Sequence, residues 1–562
     1  MLTDKNLEKR LIQDGKISAR QVDQARKQSS ETGVSLEETL LQLGYISETE
    51  LITVRGKLLG VHVIDLSVFP IAEDAATAIP ESLAREYNLI PVLKAQNKLT
   101  VAMVDPLDVE TIENIERLSG CRIEPMLGSK KGIQQAIETY YGVFGKIKAL
   151  FSEAGRDHQE FEQNLINKKG LEVAQIEGPI AQIIHLIIIQ AVNTGASDIH
   201  LEPLEQRLRI RFRVDGVLQE VFSVEKIHQA ALTSSAKIMC SMDIAEKRIP
   251  QDGRFRILVH DRNIDLRAST FPAMHGEKFV IRILDKESAN VELTQLGIGG
   301  EQFKKLKEVI HQPHGIFLVT GPTGSGKTTT LYSVLKEVNT PLVNVITMED
   351  PVEFDLDTVN QGQVNVKAGL TFAKGLRAIM RQDPDIVMIG EIRDSETAEI
   401  ATQAALTGHL VLSTLHTNSA PGAIARLTEM GVEPFLVASS LAGALAQRLV
   451  RRLCANCKKS YTPPTEVLDH FELDKEIKYT FFKAVGCREC GRVGYKGRAG
   501  IYEFMSATDE VRSMIVAGSS TSDLRKQAIK DGMLTLQMDG IQKVISGVTS
   551  IEEVMRVAGG DE

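Results

Sequence analysis

The sequence predicts a multidomain α/β chain centred on a parallel sheet, and three observations predict it. First, Gly321-Pro322-Thr323-Gly324-Ser325-Gly326-Lys327-Thr328 has the form G-x-x-x-x-G-K-T, between an apolar run at 316–319 that reads as a buried strand and helical text at 329–338. Second, apolar strand segments at 343–348, 386–389 and 410–414 alternate with helical text and end in polar residues, the pattern of a parallel sheet with its site at the strand C-termini. Third, 562 residues exceed what one hydrophobic core organises.

The totals narrow the function classes. The chain is 43% hydrophobic and 25% charged, an ordinary globular balance. No window approaches ~18 consecutive apolar residues, so no membrane span is expected. The N-terminal residues lack the apolar core of a secretion signal, and a cytosolic protein is expected. A net charge of −9 argues against a sequence-independent grip on nucleic acid.

Taken in order, the chain opens with a repeat. Leu11-Ile12-Gln13-Asp14-Gly15-Lys16-Ile17-Ser18 recurs, offset by 29 positions, as Leu40-Leu41-Gln42-Leu43-Gly44-Tyr45-Ile46-Ser47. A helix ends at each glycine, and Ser18 and Ser47 cap the next one, so two helical hairpins are expected. Residues 61–141 alternate helix and strand signals, with a helix opening at Pro80-Glu81-Ser82 and a strand at 99–104. Residues 1–145 thus read as an adaptor module, and the polar text of 146–170 as a linker.

Residues 171–288 read as an α+β domain. Ile180, Ile183, Ile184, Ile187, Ile188 and Ala191 fall at helical spacing, and alternating strands follow at 208–214, 263–269 and 279–284. Arg267 and Arg282 sit in the last two, where an arginine is most often a solvated group.

Residues 289–453 carry the phosphate chemistry. Glycines let backbone N–H groups turn inward around a polyphosphate, and the helix N-terminus adds its dipole. Gly321 to Thr329 form the binding loop, with Lys327 reaching the β- and γ-phosphates of ATP and the Thr328 hydroxyl holding Mg²⁺. Glu391, past an apolar strand, suits the Mg²⁺ shell, and Glu353 suits positioning of the attacking water. His409 and His416 are candidates to contact phosphate oxygens or to report loss of the γ-phosphate. No basic finger is evident in this domain, so one is expected from another domain or chain.

Cys454, Cys457, Cys487 and Cys490 form C-x₂-C…C-x₂-C with 29 residues between the pairs, a tetrahedral Zn²⁺ pattern with no open position for catalysis. Residues 454–500 therefore read as a zinc-binding subdomain. Cys121 and Cys240 read as buried thiols. Residues 501–562 read as helical, with Thr549-Ser550-Ile551-Glu552 as a capping box.

Together these motifs resemble the ATPase family of type II secretion and type IV pilus assembly. The match runs from about Gly178 to Val557 and rests on Ala196-Ser197-Asp198-Ile199-His200, Arg211-Phe212-Arg213-Val214-Asp215-Gly216 and Pro250-Gln251-Asp252-Gly253-Arg254. It continues through the phosphate loop, Glu349-Asp350-Pro351-Val352-Glu353, Gly390-Glu391-Ile392-Arg393-Asp394, Thr407-Gly408-His409, Leu415-His416-Thr417 and the four cysteines. The resemblance implies a RecA-like P-loop ATPase domain behind a PAS-like α+β domain. It makes Glu353 and Glu391 the catalytic carboxylates, and Arg267 and Arg282 fingers supplied by the preceding domain. It also implies a homohexamer working on an inner-membrane platform protein from the cytoplasmic side. The repeat resembles a module that binds cyclic di-GMP in relatives, where each copy begins Arg-Leu-Gly. Here the copies begin Asn6-Leu7-Glu8 and Ser35-Leu36-Glu37, so a docking role toward a membrane partner is the reading taken.

Overall fold

The computed structural model describes residues 4–559 apart from 33–34, 67–68, 70, 73–74, 76–77, 142–144, 148–149, 152–177, 285–290 and 472. The repeat folds as two helical hairpins, Asp4–Gln13 with Ala19–Thr32 and Leu36–Gln42 with Glu48–Leu59. Each first helix ends in a glycine of left-handed backbone, Gly15 (φ 65°) and Gly44 (φ 67°), where a side chain would be strained. The caps are reciprocal: the Gln21 N–H donates to Ser18 Oγ and the Ser18 N–H to Gln21 Oε1, as Glu50 and Ser47 do in the second copy. Leu7, Leu11, Val22, Leu36, Leu40 and Leu51 close a small core of their own.

Strands β1 (Leu89–Ala95), β2 (Lys98–Met103) and β3 (Arg122–Leu127) follow as one sheet in that order, backed by helices Val109–Ser119 and Lys130–Tyr140. Their core runs from Ile64 to Tyr141 and is separate from that of the repeat, so the stretch read as one adaptor holds two packed units. Most of the expected 146–170 linker lies outside the described residues. Its first part is not free chain, because Ile147 and Phe151 are buried in the next core and the Phe151 ring lies 4.4 Å from that of His228.

The second domain is built on β4 (Ala196–Pro203), β5 (Arg207–Val214), β6 (Val217–Glu225), β7 (Gln251–Val259), β8 (Arg262–Ala273) and β9 (Gly276–Leu284). They form an antiparallel sheet of order β6-β5-β4-β9-β8-β7. Helices Pro179–Asn193 and Gln229–Met239 bury one face through residues such as Ile199, Ile210, Phe212, Phe279 and Ile281. Strict alternation sends the intervening residues to the other face. There Arg254 stands opposite Arg267, Arg267 opposite Arg282, and Arg282 opposite Asp198.

The third domain carries β10 (Gly315–Thr320), β11 (Val345–Glu349), β12 (Asn360–Gln363), β13 (Ile386–Ile389), β14 (Leu410–Leu415) and β15 (Leu441–Leu453). Helices cover both faces, which is why β10, β13 and β14 are buried along their whole length. A short pair, β16 (Lys459–Tyr461) and β17 (Phe481–Lys483), belongs to the tetracysteine excursion. Then β18 (Tyr495–Ser506) returns antiparallel to β15 and completes a seven-stranded sheet of order β12-β11-β13-β14-β10-β15-β18. This strand runs through residue 500, where the sequence reading ended the tetracysteine unit. Burial of Tyr502 and Phe504 is what ties the segment to the main core.

Helices Asp509–Val516 and Thr521–Lys530 join the core on the sheet's other face through Val511, Ile515, Leu524 and Ala528, and Leu536–Ile545 and Ile551–Ala558 pack in smaller clusters beside it. The last of them, Ile551–Ala558, starts at Ser550, which accepts from the Glu553 N–H rather than closing a box with Glu552. Glu553 is turned instead toward Arg451 and Arg556. No described helix is long and apolar enough to cross a membrane.

Candidate active site

The loop between β10 and helix Lys327–Val338 takes the shape its glycines allow. At Gly321 (φ 151°) a Cβ would meet Gln447 O and Ser325 Oγ, both at 2.6 Å. At Gly326 (φ 88°) it would meet Gln447 Nε2 at 2.7 Å. Gln447, on β15, holds the loop from behind: its Nε2 donates to Ser325 O (2.7 Å) and its Oε1 accepts from Thr330 Oγ1 (2.7 Å). Lys327 Nζ folds onto the loop, donating to Gly321 O (2.8 Å) and Pro322 O (3.1 Å). Burial lowers its pKa from the ordinary value, opposed by the nearby Glu391 charge. An ammonium resting on carbonyls above a ring of backbone amides fits a polyphosphate, which would replace those carbonyls as its partner.

The loop lines a cavity of about 590 Å³ that also collects Glu353, Glu391, His416 and Arg282. Glu391 follows β13 and is 17% exposed. Its carboxylate accepts from Arg393 (2.5 Å) and lies 3.3 Å from His416 Nε2. Burial alone would raise its pKa, but Arg393 and His416 outweigh burial and hold it below the ordinary carboxylate value. It is therefore ionised at neutral pH. His416 is placed by its neighbour, since the Thr417 N–H donates to Thr320 Oγ1 (2.9 Å) at the end of β10.

Glu353 lies on the loop after β11. Its N–H donates to the Tyr332 hydroxyl (3.3 Å), and that hydroxyl in turn donates to the buried Glu349. Glu349 is also held by Thr347 Oγ1 and Gln361 Nε2. The helix that starts at Lys327 thus fixes the acidic loop through one phenol. Glu353 Oε2 has no hydrogen-bond partner although it is shielded from solvent, and Arg267 Nη2 stands 3.4 Å away. A carboxylate oxygen that accepts no hydrogen bond from the described residues, at the mouth of a phosphate site, is suited to receive a water.

The two sequence-predicted arginines therefore reach the site differently. Arg267 faces Glu353, and Arg282 lines the cavity wall. His409 is not brought there. It precedes β14, which His416 follows, and the six strand residues between them place the two about 20 Å apart at opposite ends of that strand. His409 Nδ1 instead pairs with Ala404 O at 2.8 Å, closing the helix before the strand.

Sequence reasoning missed Arg393 and Arg498, which line the cavity from the phosphate-loop side, where no basic finger was evident. Arg393 was within the quoted motif but unweighted. Arg498 arrives on β18, a strand the reading did not predict. It stands 3.9 Å from Asp215 at the β5–β6 turn, and Asp215 Oδ2 also accepts from the Gly497 N–H (2.8 Å), tying the second domain to the third.

The four cysteine sulfurs lie within 4.8 Å of one another, with Sγ separations of 3.7 Å (Cys454–Cys487 and Cys487–Cys490) and 3.8 Å (Cys457–Cys490). A tetrahedron of Zn–S bonds of about 2.3 Å has edges of about 3.8 Å, so the set fits that ion. The N–H groups of Gly486, Cys487 and Gly494 donate to these sulfurs, which favours thiolates. Cys121 and Cys240 are buried and free.

Comparison with known proteins adds the following. A family model described as a type II/IV secretion system protein matches residues 173–556, and the MshEN domain model matches residues 59–145, downstream of the helical repeat. The type IV pilus assembly ATPase PilB of Myxococcus xanthus is 42% identical over 554 residues, covering 97% of each chain. The type II secretion system ATPase E of Vibrio cholerae is 41% identical over 498 residues, covering 88% of this chain and 99% of that one. Among solved structures, the Legionella pneumophila ATPase DotB superposes with a TM-score of 0.51 at 20% identity, covering 67% of this chain and 95% of that chain, a likeness of fold.

Proposed function

The chain belongs to the type II/IV secretion ATPase family and is an ATPase, and from that premise we propose that it is a homohexameric motor driving type IV pilus assembly or type II secretion. The observation that carries this reading is the single cavity shared by two domains, with the phosphate loop, Glu353 and Glu391 on one wall and Arg282 on the other. ATP bound there gives the second domain's arginines an anion to close upon, and hydrolysis removes it. Differential affinity of open and closed arrangements for ATP and ADP supplies the work.

In this reading Lys327 and the loop amides hold the β- and γ-phosphates, while Thr328 and Glu391 keep Mg²⁺ in place. Glu353 orients the attacking water, and Arg267 and Arg282 stabilise the charge developing on the γ-phosphate. His416 connects Glu391 to the end of β10. Cys454, Cys457, Cys487 and Cys490 hold a structural Zn²⁺, and the second domain is a PAS-like relative. The N-terminal units dock on an inner-membrane platform protein from the cytoplasmic side.

The test is steady-state turnover of Glu353→Gln beside nucleotide binding. Hydrolysis is expected to fall about 10²–10⁴-fold with ATP affinity kept. Unchanged hydrolysis rejects the role of Glu353. Stimulation of the unaltered protein by single- or double-stranded nucleic acid would favour a nucleic-acid translocase on the same fold.

A further inference from the structure

The two arginines from the second domain are not alone on their face of the sheet. Arg254, Arg267 and Arg282 stand directly opposite one another on β7, β8 and β9. Like charges in direct cross-strand register repel. Within the sheet the row meets a carboxylate at its next position, Asp198 on β4, which pairs in register with Arg282, while Arg267 faces Glu353 of the third domain. Asp198 is 7% exposed, whereas the Arg282 side chain is 62% exposed and extends to the cavity wall.

The contact is directional. Arg282 Nε donates to Asp198 Oδ1 at 3.1 Å. The other carboxylate oxygen accepts from Ser197 Oγ at 2.8 Å and lies 3.5 Å from Arg213 Nε. Asp198 is therefore clamped on its far side and engages Arg282 by the nitrogen nearest the main chain. A guanidinium has five N–H donors in a rigid plane, and holding the one on Nε leaves the four terminal ones to an anion while fixing the plane.

We propose that Asp198 is a positioning residue for the hydrolysis step. It sets the orientation in which Arg282 presents its terminal N–H pair to the γ-phosphate, and it offsets the repulsion between Arg282 and Arg267 before nucleotide arrives. The inference rests on the proposed role of Arg282 at the triphosphate, and it adds a role for a buried carboxylate that itself touches no phosphate.

The experiment is a double-mutant cycle on the full chain, reading kcat, KM for ATP and the affinity for a fluorescent ATP analogue. Asp198→Asn is expected to lower kcat about 10- to 100-fold with little change in analogue affinity, as for a misaligned catalytic group. In an Arg282→Ala background the same change is expected to cost nothing further. Additive losses in the double variant would overturn the proposal by showing that Asp198 acts elsewhere, and so would an unchanged kcat in Asp198→Asn. An unchanged kcat in Arg282→Ala would defeat the reading of Arg282 itself, and the proposal with it. Ser197→Ala, which removes one hydrogen bond to the carboxylate and the hydroxyl's contact with Arg213 O while leaving Arg213 Nε beside it, guards against a folding defect. Its loss of kcat, expected to be several-fold, must also vanish in the Arg282→Ala background, and a loss that persists there counts against Asp198.

Discussion

The two walls of the nucleotide cavity are built on opposite principles. On the phosphate-loop wall the acids Glu349 and Glu391 are tied down within their own domain, while Glu353 faces across to Arg267. Glu349 is buried among Tyr332, Thr347 and Gln361, Glu391 is held by Arg393 and His416, and the loop is braced by Gln447. On the other wall the arginines are long, part-exposed side chains. Among the described residues Arg267 makes contacts of 3.4 Å to Glu353 and to Val352 O, and Arg282 is held at its base by Asp198. The difference shows where movement is stored. The braced wall holds a prepared site for charge, and in the proposed function the other wall carries the groups whose partners change with the nucleotide.

That contrast has measurable consequences. The largest is expected from Arg267→Ala and Arg282→Ala, each lowering turnover about 10³-fold while ATP still binds, because the lost contacts form fully only as charge develops. A fall in affinity equal to the fall in turnover would mean that these arginines grip the ground state, and the two walls would then be alike. A smaller effect is expected from Arg393→Gln. Burial raises the Glu391 pKa and Arg393 lowers it, so removing the arginine moves the pKa up. The acid limb of a plot of kcat/KM against pH then shifts to higher pH, and an unmoved limb would detach Glu391 from the rate. The smallest effect on turnover is expected from Tyr332→Phe. The phenol is buried, and its loss leaves Glu349 and the Glu353 N–H short of a partner, costing about 1–3 kcal/mol in unfolding free energy with kcat changed only a few-fold. A large loss of turnover with normal melting would show the brace to be part of the chemistry.

Much of the braced wall was legible in the sequence, because its elements follow local rules. The phosphate loop, β10, β13, β14 and the helix at Lys327 are short apolar runs or spaced glycines whose meaning is nearly independent of the rest of the chain. The repeat's caps and glycine stops were readable for the same reason. What escaped was set by long-range pairing. β18 looks like a helix start until its partner β15 is known, and Arg498 could not be placed without it. His409 and His416 flank one strand and look equivalent in a linear reading, yet a strand separates its ends by its full length. The strand placement of Arg267 and Arg282 was visible, but alternation alone gave no sign of what their face meets.

Leu453 and Tyr495 are register partners at the end of the β15–β18 ladder, and between them the chain leaves the sheet and returns. The thiols begin at Cys454, the next residue, and its N–H bonds Gly494 O, so outgoing and incoming strands are stitched at the neck. Closure entropy grows only slowly with the length of chain enclosed, so the seam at the neck tolerates a longer or shorter excursion at little cost. Lengthening or trimming the excursion should then leave undisturbed the placement of Arg498, three residues past Tyr495, at the cavity wall.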